Sequence, residues 1–226
     1  MNDEFAEDFA RMALQLHEGS GVEQTVERVL QFALAAIGCG HAGVMLVHGR
    51  KTVETAAATD TLVEKADRLQ MECGEGPCLS AIFEQESFLV PDTAIDERWP
   101  RWSPRVADLG LRSVLTIRLT TKGSTIGALN LFDSEPNRFD ADDDAVAHIL
   151  ARHASIALAT ARHESNLWHA IDARKLIGQA QGMLMERFDL DSDQAFAVLR
   201  RYSQDHNIKL REVAQRLIDT RKLPDG

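Results

Sequence analysis

Cysteine is scarce in this chain, and its scarcity narrows the class of protein. Three cysteines occur in 226 residues, an odd number that argues against a disulfide framework. No basic segment followed by an apolar run opens the chain, and no apolar run approaches the roughly 20 residues of a membrane span. We therefore expect a protein of the reducing cytoplasm that has no membrane partner.

The sequence also lacks the signatures of common enzymes. It contains no P-loop, no glycine-rich dinucleotide fingerprint and no Ser/His/Asp order typical of a hydrolase. No set of cysteines and histidines has the spacing of a zinc site. We expect no catalytic residue, no metal and no resident cofactor, so the protein is predicted not to be an enzyme.

Negative charge is unevenly distributed along the chain. The net charge is −10, yet residues 163–226 hold ten basic and ten acidic side chains and are neutral. Residues 1–162 therefore carry the whole excess. Because phosphate neutralisation supplies most non-specific affinity for nucleic acid, an acidic chain is a poor general binder. A neutral tail with its basic residues on one face can still bind a shaped RNA.

Helix and strand patterns alternate in the first two thirds of the chain. Apolar spacing predicts a helix over Val22–Ile37, closed by Gly38, and the β-rich runs His41–His48 and Thr52–Ala58 predict a hairpin. Further on, the patterns predict helices at 61–70, 79–85 and 140–163 and strands at 88–91, 113–120 and 125–133. This order indicates an α+β fold in which helices flank an antiparallel sheet.

Five short motifs lie within this region: Cys73-Gly-Glu-Gly-Pro-Cys78, Pro91-Asp-Thr, Arg98-Trp-Pro, Gly110-Leu-Arg-Ser and Ile126-Gly-Ala-Leu-Asn-Leu. With them, residues 21–160 resemble a GAF domain, preceded by an N-terminal helix or arm at 1–20. The resemblance implies a sensor of a small molecule or of redox state. It does not name the effector, because a fold does not fix its ligand.

Two pairs of residues are candidates for the sensor site. Cys73 and Cys78 either form a redox pair or reactive thiol facing a cavity, or pack as small apolar residues around a tight glycine turn. Trp99 and Trp102 either cover a ligand pocket as a lid or form a structural cover over the sheet edge. If GAF geometry applies, the pocket lies between the sheet face and segments 73–78 and 99–109.

Three short amphipathic helices are predicted in the last third of the chain. Asp191 is a predicted N-cap with Gln194 three residues on, a capping-box pattern that separates the first two helices. Each helix has one apolar face: Ile177, Ala180, Leu184 and Phe188; Ala195, Phe196, Leu199 and Tyr202; Leu210, Val213, Ala214 and Leu217.

This region, residues 161–226, resembles the ANTAR domain, a three-helix RNA-binding module of bacterial transcription antiterminators. The resemblance implies binding to two short stem-loops with six-nucleotide loops, which excludes a competing terminator and involves no chemistry. The candidate RNA-binding residues are a polar stripe and its neighbours: Gln181, Gly182, Arg200, Ser203, Asn207, Lys209 and Arg211. A solvated polar face is the alternative interpretation. At the level of function, a DNA-binding helix-turn-helix regulator and a GAF-type thiol redox enzyme remain alternatives.

Gly178 and Gly182 stand one turn apart in the first of these helices. Glycine costs a helix interior roughly 1 kcal/mol relative to alanine, so the pair needs a reason. Either another helix crosses closely, or an RNA backbone does. Between them, Gln181 stands where the family often has lysine, which makes any phosphate contact there weaker.

The join between the two regions lacks helix breakers. No proline occurs from 140 to 187, so one long helix is predicted to connect the GAF-like and ANTAR-like parts. We expect a homodimer through the Asp140–Arg187 helix, with close approach along Ala151, Ala154, Ala157 and Ala161. The alternative is a monomeric helix packed on its own sheet.

Overall fold

The computed structural model describes residues 14–16, 21–49, 52–122 and 124–222. The chain divides into two compact units, Met1–His163 and Glu164–Gly226. Most of the expected N-terminal arm at 1–20 lies outside the described residues, apart from a helical segment at 14–16. Each unit has its own apolar core.

The first unit contains five strands and the helices that flank them. Its elements, in chain order, are α1 (Val22–Ile37), β1 (His41–His48), β2 (Thr52–Ala58), α2 (Thr61–Cys73), α3 (Pro77–Phe83), β3 (Ser87–Val90), α4 (Ser103–Asp108), β4 (Ser113–Thr121), β5 (Ser124–Asp133) and the first part of α5 (Ala141–Phe188). The sequence predicted the hairpin strands and α1 with these bounds. It placed the end of α2 three residues early and missed α4.

The five strands form one antiparallel sheet in the order β2-β1-β5-β4-β3. Strand β5 therefore lies at the centre, paired with β1 on one side and β4 on the other. Gly127 is required at this centre, because a Cβ there would overlap the carbonyl oxygen of Met45 on β1. The predicted α+β class with an antiparallel sheet is confirmed.

Alternate side chains of the sheet enter two separate cores. Leu115 and Leu129 face the layer formed by α1 and α5, where Val29 and Leu150 are also fully buried. Side chains on the other face of the sheet, such as that of Phe132, face α2 and the segment around the two tryptophans. The sheet thus separates a helical core from a second core that contains Cys73, Trp99 and Trp102.

The alanine seam of α5 belongs to the first of these cores. Ala151, Ala154 and Ala157 pack against the sheet of their own chain, and Ala161 is also buried. The prediction that these alanines permit close approach of a second chain is wrong. Their small side chains instead allow α5 to lie close to its own sheet, which is the alternative that the sequence left open.

Helix α5 is continuous over 48 residues, from Ala141 to Phe188. Asp140 immediately precedes the helix, and its carboxylate accepts hydrogen bonds from the backbone amides of Asp142 and Asp143 at 2.8 and 2.9 Å. The predicted uninterrupted connection is confirmed. The helix expected at 140–163 and the first helix of the tail are therefore one element.

The second unit consists of the C-terminal part of α5 with α6 (Ser192–Asp205) and α7 (Leu210–Thr220). The capping box at Asp191 is confirmed. The Asp191 carboxylate accepts a hydrogen bond from the backbone N–H of Gln194 at 2.8 Å, and the Gln194 side-chain oxygen accepts one from the backbone N–H of Asp191 at 3.0 Å. The core contains Ala180, Leu184, Ala195, Leu199, Val213, Ala214 and Leu217. Phe188 and Phe196, predicted to be in this core, are instead exposed.

Candidate functional site

A buried carboxylate lies on the sensor side of the first unit. Asp67 of α2 is fully buried, and its two oxygens accept hydrogen bonds from Thr55 on β2 and Asn130 on β5, both at 3.1 Å. Asn130 in turn accepts from Thr116 on β4 at 3.0 Å. Burial raises the pKa of the Asp67 carboxyl to about 7, because desolvation of the charged form outweighs the two hydrogen bonds. The carboxyl is therefore poised to change charge near neutral pH.

Gln70, one turn after Asp67, holds the loop that follows α2. Its Oε1 accepts from the Cys78 amide at 2.8 Å, and its buried Nε2 has no hydrogen-bond partner. Gly76 has a φ of 143° and approaches the Gln70 side chain so closely that a Cβ would overlap it. The Gly-Glu-Gly-Pro turn therefore serves close packing, one of the two interpretations that the sequence left open.

The two candidate cysteines have different environments. Cys73 ends α2, and its thiol donates to the Arg101 carbonyl at 3.6 Å while the Arg105 guanidinium lies 3.5 Å away. Cys78 is fully buried in a separate apolar cluster with Met45, Ile82 and Ala128. Both thiols are free. Burial, with Asp67 nearby, holds the pKa of Cys78 well above its usual range, so this thiol is a poor nucleophile at neutral pH.

The two tryptophans form a wall of the second core. Trp99 and Trp102 are 5% and 0% exposed and meet edge to face at 6.1 Å. Their indole nitrogens donate to Ser80 Oγ at 3.2 Å and to the Ala66 carbonyl at 3.1 Å. These contacts fix both rings in the core, the arrangement of a structural cover. A ligand role for either ring stays a prediction.

Two surface grooves among the described residues of the first unit lie along β2. One of about 380 Å³ is lined by residues 55–58 of β2 and by Glu64, Arg68 and Met71 of α2. Another, of about 480 Å³, lies between β2 and the start of α1. Neither groove is lined by the cysteine or tryptophan segments, where the pocket was expected. Among the described residues, no group of three or more His, Cys, Asp or Glu side chains could hold a metal ion.

The second unit carries the candidate RNA-binding residues, and most of them are exposed. Arg200, Asn207, Lys209 and Arg211 are open to solvent at the end of α6 and the start of α7. Asn207 has a φ of 51°, a left-handed conformation that asparagine tolerates in the turn between the two helices. Ser203 has a structural role, because its hydroxyl donates to the Ile208 carbonyl at 2.6 Å and closes this turn.

Gln181 connects α5 to the start of α6. Its side-chain amide donates to the Ser192 carbonyl at 3.1 Å. The neighbouring glycines face open space, since a Cβ at Gly178 or Gly182 would have no atom within 4 Å. Close helix crossing within the described chain therefore does not explain these glycines. Close approach of an RNA backbone, the other interpretation, stays a prediction.

Sequence reasoning missed two features of these sites. Asp67 lies one turn after Val63 and directly after Ala66, so an acidic residue interrupts the buried face of α2. The sequence did not indicate which residues on distant strands would bind its carboxyl group. Phe196 was assigned to the core, although it lies about 100° around the helix from Ala195. A narrower predicted apolar face, centred on Ala195 and Leu199, would have left Phe196 outside the core.

The two units thus pair a sensor-type α+β fold with a separate helical module, an arrangement typical of signal-responsive regulators. Comparison with family models gives the same division. Residues 19–159 match a GAF domain and residues 165–218 match an ANTAR domain. The chain therefore belongs to the GAF domain family, in its GAF-ANTAR architecture. Its domain content is that of a regulator and not of a catalyst. No match was found among curated proteins.

Solved structures of GAF domains resemble the first part of the chain. A GAF domain of Acinetobacter phosphoenolpyruvate-protein phosphotransferase has a TM-score of 0.57 at 14% identity, covering 72% of this chain and 97% of its own. Free methionine-R-sulfoxide reductase from Neisseria meningitidis, solved with its substrate, has a TM-score of 0.53 at 16% identity, covering 73% and 95%. These identities support the fold alone. No helix among the described residues is long and apolar enough to cross a membrane.

Proposed function

We propose that this protein is a transcription antitermination regulator that binds paired stem-loops with six-nucleotide loops in nascent RNA. The observation that carries the proposal is that the ANTAR match coincides with a separately cored unit exposing Arg200, Asn207, Lys209 and Arg211. Unpaired loop bases offer edges to an amide, and loop phosphates attract guanidinium and ammonium groups. Binding nascent RNA requires the cytoplasm, where we place the protein.

The charge distribution supports contact through the tail. Residues 1–162 carry the net charge of −10 and repel RNA, whereas residues 163–226 are neutral overall. A neutral module has little non-specific affinity, so its binding depends on the shape and sequence of the loop. This property suits a regulator that must select a few transcripts.

A homodimer through α5 would present two RNA modules to two stem-loops. One side of this helix carries apolar side chains that the chain itself leaves exposed: Ile149, Ile156, Leu167 and Ile171. At 100° per residue they lie within about 60° of one another, on a different side of the helix from Ala151 and Ala154. A second copy of α5 is the partner that would cover this stripe along its length.

A small-molecule effector of the GAF domain would control RNA binding. Coupling requires two arrangements that the effector populates differently, and the continuous helix α5 connects the two regions. The buried Asp67 network and the β2 groove are the parts of the sensor domain where polar recognition is available.

The decisive experiment is capture of cellular RNA on the full-length protein, followed by sequencing. We expect enrichment of paired hairpins that overlap terminators, and loss of that enrichment in an Arg200→Ala/Lys209→Ala double variant. Equal affinity for duplex DNA and hairpin RNA would favour the helix-turn-helix alternative. Thiol-dependent turnover of an oxidised small molecule would favour the redox enzyme, for which the buried Cys78 is a poor nucleophile.

A further inference from the structure

Phe196 is an aromatic side chain that the chain leaves exposed. It is 38% exposed on α6, whereas Ala195 and Leu199 of the same helix are fully buried in the core of the second unit. The core is complete without the Phe196 ring, which is absent from the cluster that the three helices form. The Phe196 ring is therefore partly exposed on a module whose core packs without it.

The surroundings of Phe196 are largely polar. At 100° per residue, Ser192, Arg200 and Ser203 lie within about 40° of Phe196 on the same side of α6. Arg200 is exposed one turn further along the helix, and Asn207 follows in the turn that ends it. Gln181 reaches the start of this stripe through its hydrogen bond to the Ser192 carbonyl. Asp193, three residues before Phe196 and about 60° around the helix from it, adds one carboxylate at the edge of the stripe.

We propose that Phe196 is a stacking platform for one unpaired base of the bound RNA loop. This inference rests on the proposed function and specifies how that surface holds its ligand. Every base offers a flat face to an aromatic ring, and single-stranded loops present bases that are free to stack. Arg200, one turn away, is placed to contact the phosphate beside the stacked base, and Asn207 to reach the edge of a neighbouring base.

The surroundings favour a nucleotide over a second protein at this position. A protein interface centres on a contiguous apolar area from which charged groups are largely excluded. Phe196 is instead a single ring whose neighbours on the same side of α6 are mainly the polar side chains of Ser192, Arg200 and Ser203, with Asp193 at the edge. That combination of one flat apolar face with adjacent hydrogen-bond donors matches the chemistry of a nucleotide.

The test uses the full-length protein and a defined probe. The probe is one RNA with two hairpins, selected on the parent protein from a library with randomised six-nucleotide loops. Binding is compared for Phe196→Ala, Phe196→Leu and Phe196→Tyr. Phe188→Ala, which truncates another exposed phenylalanine at the end of α5, is the matched control. Circular dichroism and light scattering check that each variant folds and associates like the parent.

We expect Ala and Leu at position 196 to weaken binding by roughly 5- to 150-fold, the range given by loss of one stacked base, while Tyr and the Phe188 control bind like the parent. In the parent, one abasic loop position should cause a similar loss that is absent in Phe196→Ala. Equal binding by the Leu variant, or by Phe196→Ala, would overturn the stacking role. Altered association of Phe196→Ala would instead assign the ring to a protein interface. Failure of the parent to select any hairpin RNA would overturn the proposed function itself.

Discussion

Asn130 on the central strand donates its side-chain amide to the buried carboxyl of Asp67 on α2 at 3.1 Å. The second oxygen of Asp67 accepts from the Thr55 hydroxyl, so both hydrogen-bond partners of this buried acid are neutral. The charged form of Asp67 in turn helps to raise the pKa of Cys78, which is also fully buried. The folded state therefore favours the protonated form of Asp67, and its stability depends on pH.

We predict that the protein loses stability as the pH rises from about 4 to about 7. The pKa of Asp67 is raised from 3.8 to about 7, so unfolding releases its proton in this interval. The stabilising contribution of that proton is complete below pH 3.8 and is lost as the pH passes through 7. Asp67→Asn, which preserves the neutral form, should raise the melting temperature at pH 8 more than at pH 5.

Asp92→Asn is the matched control for this measurement. Arg112 holds the pKa of Asp92 below its usual range, through hydrogen bonds at 2.9 and 2.7 Å. Asp92 is therefore ionised throughout pH 5–8, and its replacement should shift all melting temperatures in that range equally. Parallel curves for the parent and Asp67→Asn would contradict a raised pKa at Asp67.

The RNA-binding stripe gives a second prediction, about salt. Arg200→Ala and Lys209→Ala should each weaken hairpin binding and lower the slope of log K against log salt concentration by roughly 0.7 to 0.9, if each contacts one phosphate. Arg201→Ala is the control, since Arg201 is an exposed neighbour on another side of α6, ion-paired with Asp205 at 3.5 Å. If all three variants share one slope with the parent, the stripe is a solvated face.

Asn207 requires a different substitution, because its backbone is left-handed. We predict that Asn207→Gly keeps the turn at φ 51° and reduces discrimination among loop sequences. Asn207→Ala should in addition destabilise the turn, since alanine is strained at positive φ. Binding to a panel of hairpins with single loop substitutions measures this discrimination. Unchanged discrimination by the Gly variant would remove the asparagine side chain from sequence readout.

Local patterns predicted most elements, because their determinants are local. Val22–Ile37 ends at Gly38, whose left-handed conformation caps the helix, and Asp191 with Gln194 forms a complete cap from four consecutive residues. Helix α4 was missed because its six residues are too few to show an apolar period. The sequence indicated the order of helices and strands along the chain, but not the order in which the strands pair within the sheet.

Tertiary packing determined what the sequence left undecided. The spacing of Ala151 and Ala154 is the same whether their partner is a second helix or the sheet of their own chain, and the structure shows the sheet. Phe196 fits a helical period yet falls beyond the width of the buried face. Asp67 depends on Thr55 and Asn130, which lie on strands that only the folded chain brings together.

Homodimerisation gives the next prediction. Ile156 and Leu167 are 52% and 51% exposed on the apolar stripe of α5, so glutamate at either position would be buried without a partner in a dimer. Ile156→Glu and Leu167→Glu should therefore convert a dimer into a 25.1 kDa monomer in light scattering at micromolar concentration. His169→Glu, exposed about 160° around the helix from Leu167, should stay dimeric. A monomeric parent would contradict the dimer through α5.

Substitution of the two glycines of α5 is expected to change stability and RNA binding in opposite directions. A Cβ at Gly178 or Gly182 would meet no atom within 4 Å, so alanine adds no clash and removes a helix-interior cost. We predict that each Gly→Ala substitution stabilises the second unit by about 1 kcal/mol. If an RNA backbone approaches this side of the helix, Gly182→Ala should at the same time weaken hairpin binding without changing the dimer. Dissociation of the dimer would show that the approaching partner is a second α5. Higher stability with unchanged RNA affinity and association would leave the glycines without a function in either contact.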